Sequence, residues 1–309
     1  MTRRCFPMGQ ALRAALLAAT LLAQASAALA ADPPPKAPPA TTPSTTPPSA
    51  FAGEEACSAC HADQAEAHGK SAHGPALADL ARPQAERGCE ACHGAGQAHA
   101  DGGGGVGVGG LEAFDPEEPA AKRSAACLHC HAGAAALHDV GRGAHAKAGL
   151  ACTDCHAIHA SKGTPLLAKP QTNLCGGCHL DVRAEFALPE HHKVPEGVMK
   201  CSDCHAVHGS PEHALLKAPD ERACTICHGD VEGPFVFEHP GLVTEGCATC
   251  HTPHGGIGRH LLKRRQVAQV CLECHAATPS DHLQAGFRDC TRCHAAIHGS
   301  NTDPHLMEP

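Results

Sequence analysis

The sequence has very few aromatic side chains. It contains no Trp, no Tyr and only seven Phe among 309 residues. Aromatic rings supply much of the buried surface of ordinary protein cores. A chain of this length therefore needs another source of apolar interior, and cofactors with large rings would supply it.

The sequence also lacks any apolar run long enough to cross a membrane. Near the start, three arginines supply a positive region, residues 11–22 an apolar region and residues 28–30 a small-x-small cleavage site. This pattern is typical of a secretory signal, which we predict at residues 1–30. Residues 31–53 are rich in Pro and Thr and are predicted to be an extended linker.

An excess of positive charge is absent as well. The formal net charge is −8, and the chain after residue 30 keeps 21 basic against 32 acidic residues. Nucleic-acid binding is therefore disfavoured. With 32 Gly and 25 Pro, long helices and strands are disfavoured too.

The pentapeptide Cys-x-x-Cys-His occurs ten times and includes every cysteine after residue 30. In a helical turn, residues i, i+3 and i+4 share one face, so both thiols and the imidazole approach the same ligand. This arrangement is typical of haem c, held by two thioether links and one histidine on iron. We therefore predict ten covalently attached haem c groups.

The predicted haem-attachment residues are Cys57, Cys60, Cys89, Cys92, Cys127, Cys130, Cys152, Cys155, Cys175, Cys178, Cys201, Cys204, Cys224, Cys227, Cys247, Cys250, Cys271, Cys274, Cys290 and Cys293. The predicted proximal ligands are His61, His93, His131, His156, His179, His205, His228, His251, His275 and His294.

Zinc sites and disulfide bonds are the competing interpretations of the CxxC pairs. Neither requires a histidine directly after each pair. Because all ten pairs have that histidine, the sequence favours haem over both.

A longer repeat appears when the motifs are taken in pairs. In the clearest examples a histidine lies seven residues after the first cysteine of the second motif, and a Leu-Leu pair begins fourteen residues after it. Constant offsets of this kind indicate one structural unit used repeatedly. We predict a cytochrome domain at residues 54–309 with five di-haem modules, at about residues 54–126, 127–174, 175–223, 224–270 and 271–309.

From the positions of histidines in this repeat, we predict ten further histidines as distal iron ligands. They are His73, His99, His145, His159, His192, His208, His239, His254, His282 and His298. Two choices stay open on spacing alone, His73 against His68 and His192 against His191. Histidine on both faces leaves no vacant position on iron, so the sequence predicts an electron carrier, with no catalytic residues.

Several stretches beyond CxxCH resemble the DmsE/MtrA-type family of decahaem c-type cytochromes, which are outer-membrane electron conduits. They are HHKVPEG at 191–197, GPFVFEHP at 233–240, CATCHTPHGG at 247–256 and AAIHGSN at 295–301. The likeness spans nearly all of residues 54–303. It implies an elongated, mostly irregular multihaem c-type cytochrome with short α-helices, bis-histidine iron and a haem-packed interior.

The resemblance also implies a place and partners for the protein. Family members act in the periplasm, associated with the outer membrane, inside a porin-like β-barrel protein. They exchange electrons with periplasmic donor or acceptor cytochromes and with an extracellular multihaem cytochrome or reductase. Metal reduction, Fe(II) oxidation and DMSO respiration are the processes expected of such a conduit.

Two other functions remain compatible with the sequence. One is a soluble periplasmic shuttle that delivers electrons to a terminal reductase without entering a barrel. The other is a multihaem reductase enzyme, which needs an iron with a vacant or exchangeable position.

Replacement of one thioether cysteine tests the attachment chemistry. Cys250→Ala should weaken or abolish haem attachment at one site, because one of its two covalent links is lost. The intact mass of the exported protein should show a loss confined to one haem, whereas the control Thr249→Ala should keep the full complement. A wild-type mass with no added porphyrin would contradict the interpretation.

Overall fold

The computed structural model describes residues 47–159, 166–275, 282 and 289–308. The chain divides into two units, Met1–Thr45 and Thr46–Pro309. The predicted signal peptide and most of the predicted linker lie outside the described residues. All ten CxxCH motifs lie in the second unit.

Short helices joined by turns and irregular segments make up this unit, which confirms the predicted fold class. The longest helix among the described residues has twelve residues. The α-helices are α1 Glu54–Ser58, α2 Ala62–Gly69, α3 His73–Leu77, α4 Glu90–His93, α5 Gln97–Asp101, α6 Ala120–His131, α7 Ala144–Lys147, α8 Cys152–Cys155, α9 Gln171–Cys175, α10 Leu180–Glu185, α11 Cys201–Cys204, α12 Asp220–Thr225, α13 Pro240–Glu245 and α14 Val267–Cys271. Short 3₁₀ turns lie at Pro48–Ala50, Gln84–Glu86, Val108–Gly110, Ala135–Leu137, His213–Leu215, Gly229–Val231, Cys247–Thr249, Arg259–Leu261 and Cys290–Arg292. In the parts of the chain described, no helix combines the length and the apolar character that a membrane span requires.

Two antiparallel strand pairs connect segments that are far apart in the sequence. Strand β1 (Glu190–His191) pairs with β3 (Gly255–Gly256), and β2 (Phe237–Glu238) pairs with β4 (Gly299–Ser300). In each pair, one strand directly precedes a predicted distal histidine and the other directly follows one. The same long-range connection is therefore made twice.

The CxxCH segments form the helical turn that the sequence predicts. In nine motifs the backbone N–H of the motif histidine donates to the carbonyl of the first cysteine, at 2.9 to 3.1 Å. The remaining motif lies within α6. Both thiols and the imidazole of each motif therefore start from one turn of helix.

The Leu-Leu repeat forms the same turn three times. The motif histidine bridges to the second leucine at His156–Leu167, His205–Leu216 and His251–Leu262. The first leucine of each pair has φ between 57° and 59°. This left-handed conformation costs about 1–2 kcal/mol in a residue with a Cβ, so the turn must be held by contacts made elsewhere.

The described polypeptide buries few apolar side chains of its own. Its buried apolar residues are Leu77, Ala151, Leu166, Val194, Val270 and Ala296. Ordering a backbone costs about 1–2 kcal/mol per residue, which so small an interior does not offset. The fold therefore depends on a cofactor to supply apolar surface.

A buried arginine ties two motif-bearing helices together. Arg123 on α6 is 5% exposed, and its Nη1 donates to the Asp154 carboxylate of α8 at 2.8 Å. Its Nε donates to the Glu118 carbonyl at 3.1 Å. Asp154 also accepts the Ala151 N–H at the start of α8. This network fixes the third CxxCH motif against the fourth.

Removing the arginine should weaken the fold. Arg123→Met is expected to lower the free energy of unfolding by about 2 kcal/mol, because a charged hydrogen-bond network loses its buried partner. Arg142→Met is the control, since Arg142 bonds Asp139 at 2.8 Å but its side chain is 63% exposed; its cost should be below about 1 kcal/mol. Denaturant unfolding of the haem-loaded proteins measures both. Equal losses in the two variants would contradict this assignment.

Candidate functional site

Nine of the ten motif histidines each face one predicted distal histidine. The ring centroids of every pair lie 5.9 to 6.4 Å apart. The pairs are His61–His99, His93–His159, His131–His73, His156–His208, His179–His145, His205–His254, His228–His192, His251–His298 and His275–His239.

This spacing fits one iron between two imidazoles. At about 2 Å per metal–nitrogen bond, nitrogens on opposite sides of an iron lie about 4 Å apart. Each ring centroid lies about 1 Å further out, so centroids about 6 Å apart are expected for bis-histidine haem. The tenth motif histidine, His294, has His282 as its predicted partner, and that pairing stays a prediction.

The partners do not follow chain order. We number the motifs 1 to 10 along the sequence. His205 of motif 6 faces His254, which follows motif 8, whereas His179 of motif 5 faces His145, which follows motif 3. Motifs 2, 4, 6 and 8 take a histidine from two motifs downstream, and motifs 3, 5, 7 and 9 from two motifs upstream. Motif 1 is the exception, because its partner follows motif 2.

The two kinds of pair differ in the angle between the imidazole planes. At motifs 2, 4, 6 and 8 the planes are 17°, 24°, 33° and 25° apart. At motifs 3, 5, 7 and 9 the angles are 86°, 70°, 57° and 57°. Motif 1 has 24°. The angle is therefore small where the distal histidine lies downstream of its motif and large where it lies upstream.

The geometry favours one histidine in each of the two open choices. The His73 ring lies 5.9 Å from that of His131, whereas the neighbouring His68 is buried in α2. The His192 ring lies 6.2 Å from that of His228. His191 instead places Nε2 3.0 Å from a Glu196 carboxylate oxygen. His73 and His192 therefore lie where one iron would fit between each of them and a motif histidine, and their role as ligands stays a prediction.

Backbone carbonyls orient many of these imidazoles through Nδ1. Nδ1–H donates to a carbonyl at His93, His99, His145, His192, His205, His251 and His294, at 2.6 to 3.0 Å. Such a bond fixes the tautomer and leaves Nε2 to the metal. The acceptors for His205 and His251 are the carbonyls of Ala214 and His260, whose φ values are 52° and 56°. The left-handed turn thus aims a carbonyl at a proximal ligand, a role that sequence reasoning missed.

Partial desolvation affects the pKa of five predicted distal histidines. Burial, and secondly the charge of the facing motif histidine, lowers the pKa of His73, His159, His208, His239 and His298. Only a neutral imidazole binds iron. The lowered pKa therefore favours the protonation state that coordination would require.

Cysteines of consecutive motifs lie close to one another along the chain. First cysteines of two motifs are neighbours in the pairs Cys57–Cys89, Cys127–Cys152, Cys175–Cys201 and Cys271–Cys290. Second cysteines are neighbours in the pairs Cys92–Cys130, Cys155–Cys178, Cys204–Cys227 and Cys250–Cys274. The remaining step, from motif 7 to motif 8, is a contact between α12 and the turn Cys247–Thr249. Every motif is therefore adjacent to the next.

A continuous cavity of about 3480 Å³ runs along these motifs. Both rings of seven of the nine histidine pairs line it, together with cysteines from motifs 2 to 9. The residues that would hold haem therefore surround a shared interior space, and the polypeptide fits the predicted cofactor.

Turns with two thiols and a histidine, facing imidazoles one iron apart and a cofactor-sized interior define a multihaem c-type cytochrome with covalently bound haem c. Comparison with known proteins agrees. The doubled CXXCH motif family matches residues 144–184, 191–233 and 239–279. The chain is 32% identical over 269 residues to the multiheme cytochrome MtrA of Shewanella baltica (strain OS185), covering 81% of this chain and 79% of that protein. The chain belongs to the MtrA-type family of multihaem cytochromes.

The matched segments cross the predicted module boundaries. Each begins at or next to a lone histidine and contains the second motif of one predicted module and the first of the next. The motif contacts are likewise continuous within and between modules. The five modules therefore stay a prediction, and the family match instead groups motif 4 with 5, motif 6 with 7 and motif 8 with 9.

Alanine substitution distinguishes the two adjacent histidines. His192→Ala should leave one iron with a single protein ligand and produce a high-spin haem signal, because the ring that faces His228 is removed. His191→Ala should keep the wild-type low-spin spectrum. Electron paramagnetic resonance of the oxidised proteins, with haem content checked by mass, measures both. A high-spin signal in the His191 variant alone would reverse the assignment.

Proposed function

We propose that this protein carries ten haem c groups, each bound by two histidines, and moves electrons across the outer membrane in complex with a porin-like β-barrel protein. Under this proposal, periplasmic cytochromes exchange electrons at one end of the motif row. An extracellular multihaem cytochrome or reductase exchanges them at the other. The protein itself is exported to the periplasm by its signal peptide.

The order of the attachment sites carries this proposal. Motif 1 adjoins motif 2, and the contacts continue to motif 10 in sequence order. A linear order has two different terminal sites, and a conduit needs one for entry and one for exit. A carrier with a single exchange site would need neither ten motifs nor an unbroken row.

Each residue type has a separate role at a site. The two cysteines of a motif attach the cofactor covalently, the motif histidine binds iron from one face, and the distal histidine binds from the other. When bound, haem supplies a reversible one-electron couple. With imidazole on both faces, the protein leaves no position for a substrate, which supports an electron carrier over a reductase.

A barrel partner would shield the polar backbone of this chain from lipid. Backbone polar groups in irregular segments cannot face hydrocarbon, whereas they can lie in a polar lumen. The described residues consist largely of such segments. A chain of this kind would cross about 30 Å of hydrocarbon only inside another protein.

Fractionation tests the proposed location. Detergent extraction of outer membranes should recover the haem-containing protein together with a large β-barrel protein. In vesicles containing that complex and a trapped redox dye, an impermeant external reductant should reduce the dye. Vesicles with the barrel protein alone are the control. Recovery of all the cytochrome as a free soluble protein, from cells with an intact outer membrane, would support the shuttle and contradict the conduit.

The ring angles predict two spectroscopic classes of haem. The angle between axial imidazole planes alters the splitting of the iron d orbitals. The oxidised protein should therefore show a class with small angles from motifs 1, 2, 4, 6 and 8 and a class with large angles from motifs 3, 5, 7 and 9. Electron paramagnetic resonance with spin quantitation measures the ratio. A single uniform class would contradict this arrangement of the rings.

A further inference from the structure

One predicted distal histidine has a carboxylate, and not a backbone carbonyl, at its Nδ1. The Nδ1 of His254 lies 2.9 Å from the Glu185 carboxylate. At seven other paired or motif histidines the acceptor is a backbone carbonyl. His208 lies at the same offset in the preceding repeat and bonds the backbone of Ala136. Equivalent histidines in adjacent repeats therefore have a neutral acceptor in one case and an anionic acceptor in the other.

The fold brings Glu185 to this position through several contacts. Glu185 is the last residue of α10, and strand pairing of β1 with β3 follows within five residues. A Cβ at Gly255 would lie 2.1 Å from the Glu185 carbonyl oxygen, so only glycine permits this approach. The Phe186 ring centroid lies 5.5 Å from that of His254. Tertiary packing thus places the Glu185 backbone where its carboxylate reaches Nδ1 of His254.

We propose that Glu185 is a positioning residue that lowers the reduction potential of the haem at motif 6, through its hydrogen bond to His254. This inference rests on the proposed ligation of that iron by His205 and His254. An anionic acceptor pulls the Nδ1 proton towards its own oxygen. This makes the imidazole a stronger electron donor to iron. A stronger donor stabilises the oxidised iron, so its potential falls.

The charge of the carboxylate acts in the same direction. A negative charge near the site favours the more positive, oxidised iron. The Glu185 side chain is 48% exposed, so water screens part of this effect. Motif 6 lies near the middle of the row, so every electron that travels the full row passes the site that Glu185 adjusts.

Three substitutions at this position separate charge from packing. Glu185→Gln keeps an oxygen acceptor but removes the charge, Glu185→Ala removes both, and Glu185→Asp tests partial rescue. Glu196→Gln is the matched control, because Glu196 accepts from Nε2 of His191, which does not occupy a ligand position. The full haem-loaded chain of each variant is titrated by spectroelectrochemistry, and its redox titration curve is compared with that of wild type.

The expected result is a change at one haem. In Glu185→Gln one of the ten haems should titrate at a higher potential, Glu185→Ala should shift it at least as far, and Glu185→Asp should restore part of the wild-type curve. Glu196→Gln should overlay wild type, and mass should show full haem content in all variants. A Glu185→Gln curve that overlays wild type, or that shifts no more than the Glu196→Gln curve, would overturn the inference.

A ligand variant separates this inference from the proposals on which it rests. His254→Met should raise the potential of one haem strongly if His254 binds iron. An unchanged curve there would refute the ligation and the Glu185 inference together. A shift in His254→Met with none in Glu185→Gln would refute the Glu185 inference alone. Failure of the barrel to co-purify would refute the conduit and leave these potentials unaffected.

Discussion

The structure depends on pairs of facing imidazole rings whose separation matches the width of one iron. Nine such pairs are seen at about 6 Å, and each joins parts of the chain that are distant in sequence. Iron bound in this way is a link between segments as well as a redox centre, and metal binding contributes directly to folding. Because so few apolar side chains are buried among the described residues, these links and the cofactor surface replace a conventional core.

Two sets of contacts connect the motifs, and they span different numbers of motifs. Neighbouring cysteines place each motif beside the next, while most histidine pairs connect a motif to a segment two motifs away. Loss of one distal ligand therefore loosens a connection between non-adjacent motifs and leaves the sequence of attachment sites intact. Because the two sets of contacts overlap, a motif can be paired with the one before it, as in the predicted modules, or with the one after it, as in the family match.

Local structure was predictable from the sequence, and the ligand partners were not. The CxxCH turn and the Leu-Leu repeat depend on residues a few positions apart, so their offsets predict them directly. The ten distal candidates came from the same offsets. Which iron each one serves depends on strand pairings such as β1 with β3, which join residues 64 positions apart, and no short pattern encodes them. The left-handed Ala214 and His260 gave no signal, because neither residue type predicts positive φ.

Equivalent sites can differ in reduction potential because different atoms surround their ligands, although the ligands themselves are the same. Every motif keeps its cysteines and histidine, since attachment requires them, and the left-handed turn keeps its shape because a carbonyl must reach Nδ1. The acceptor for a distal Nδ1 is under no such constraint. His208 interacts with the Ala136 backbone and the equivalent His254 with the Glu185 carboxylate, so the charge beside one iron would differ although no ligand moves. A row built from equivalent turns can therefore hold sites of different potential, and the differences are encoded in residues outside the CxxCH motif.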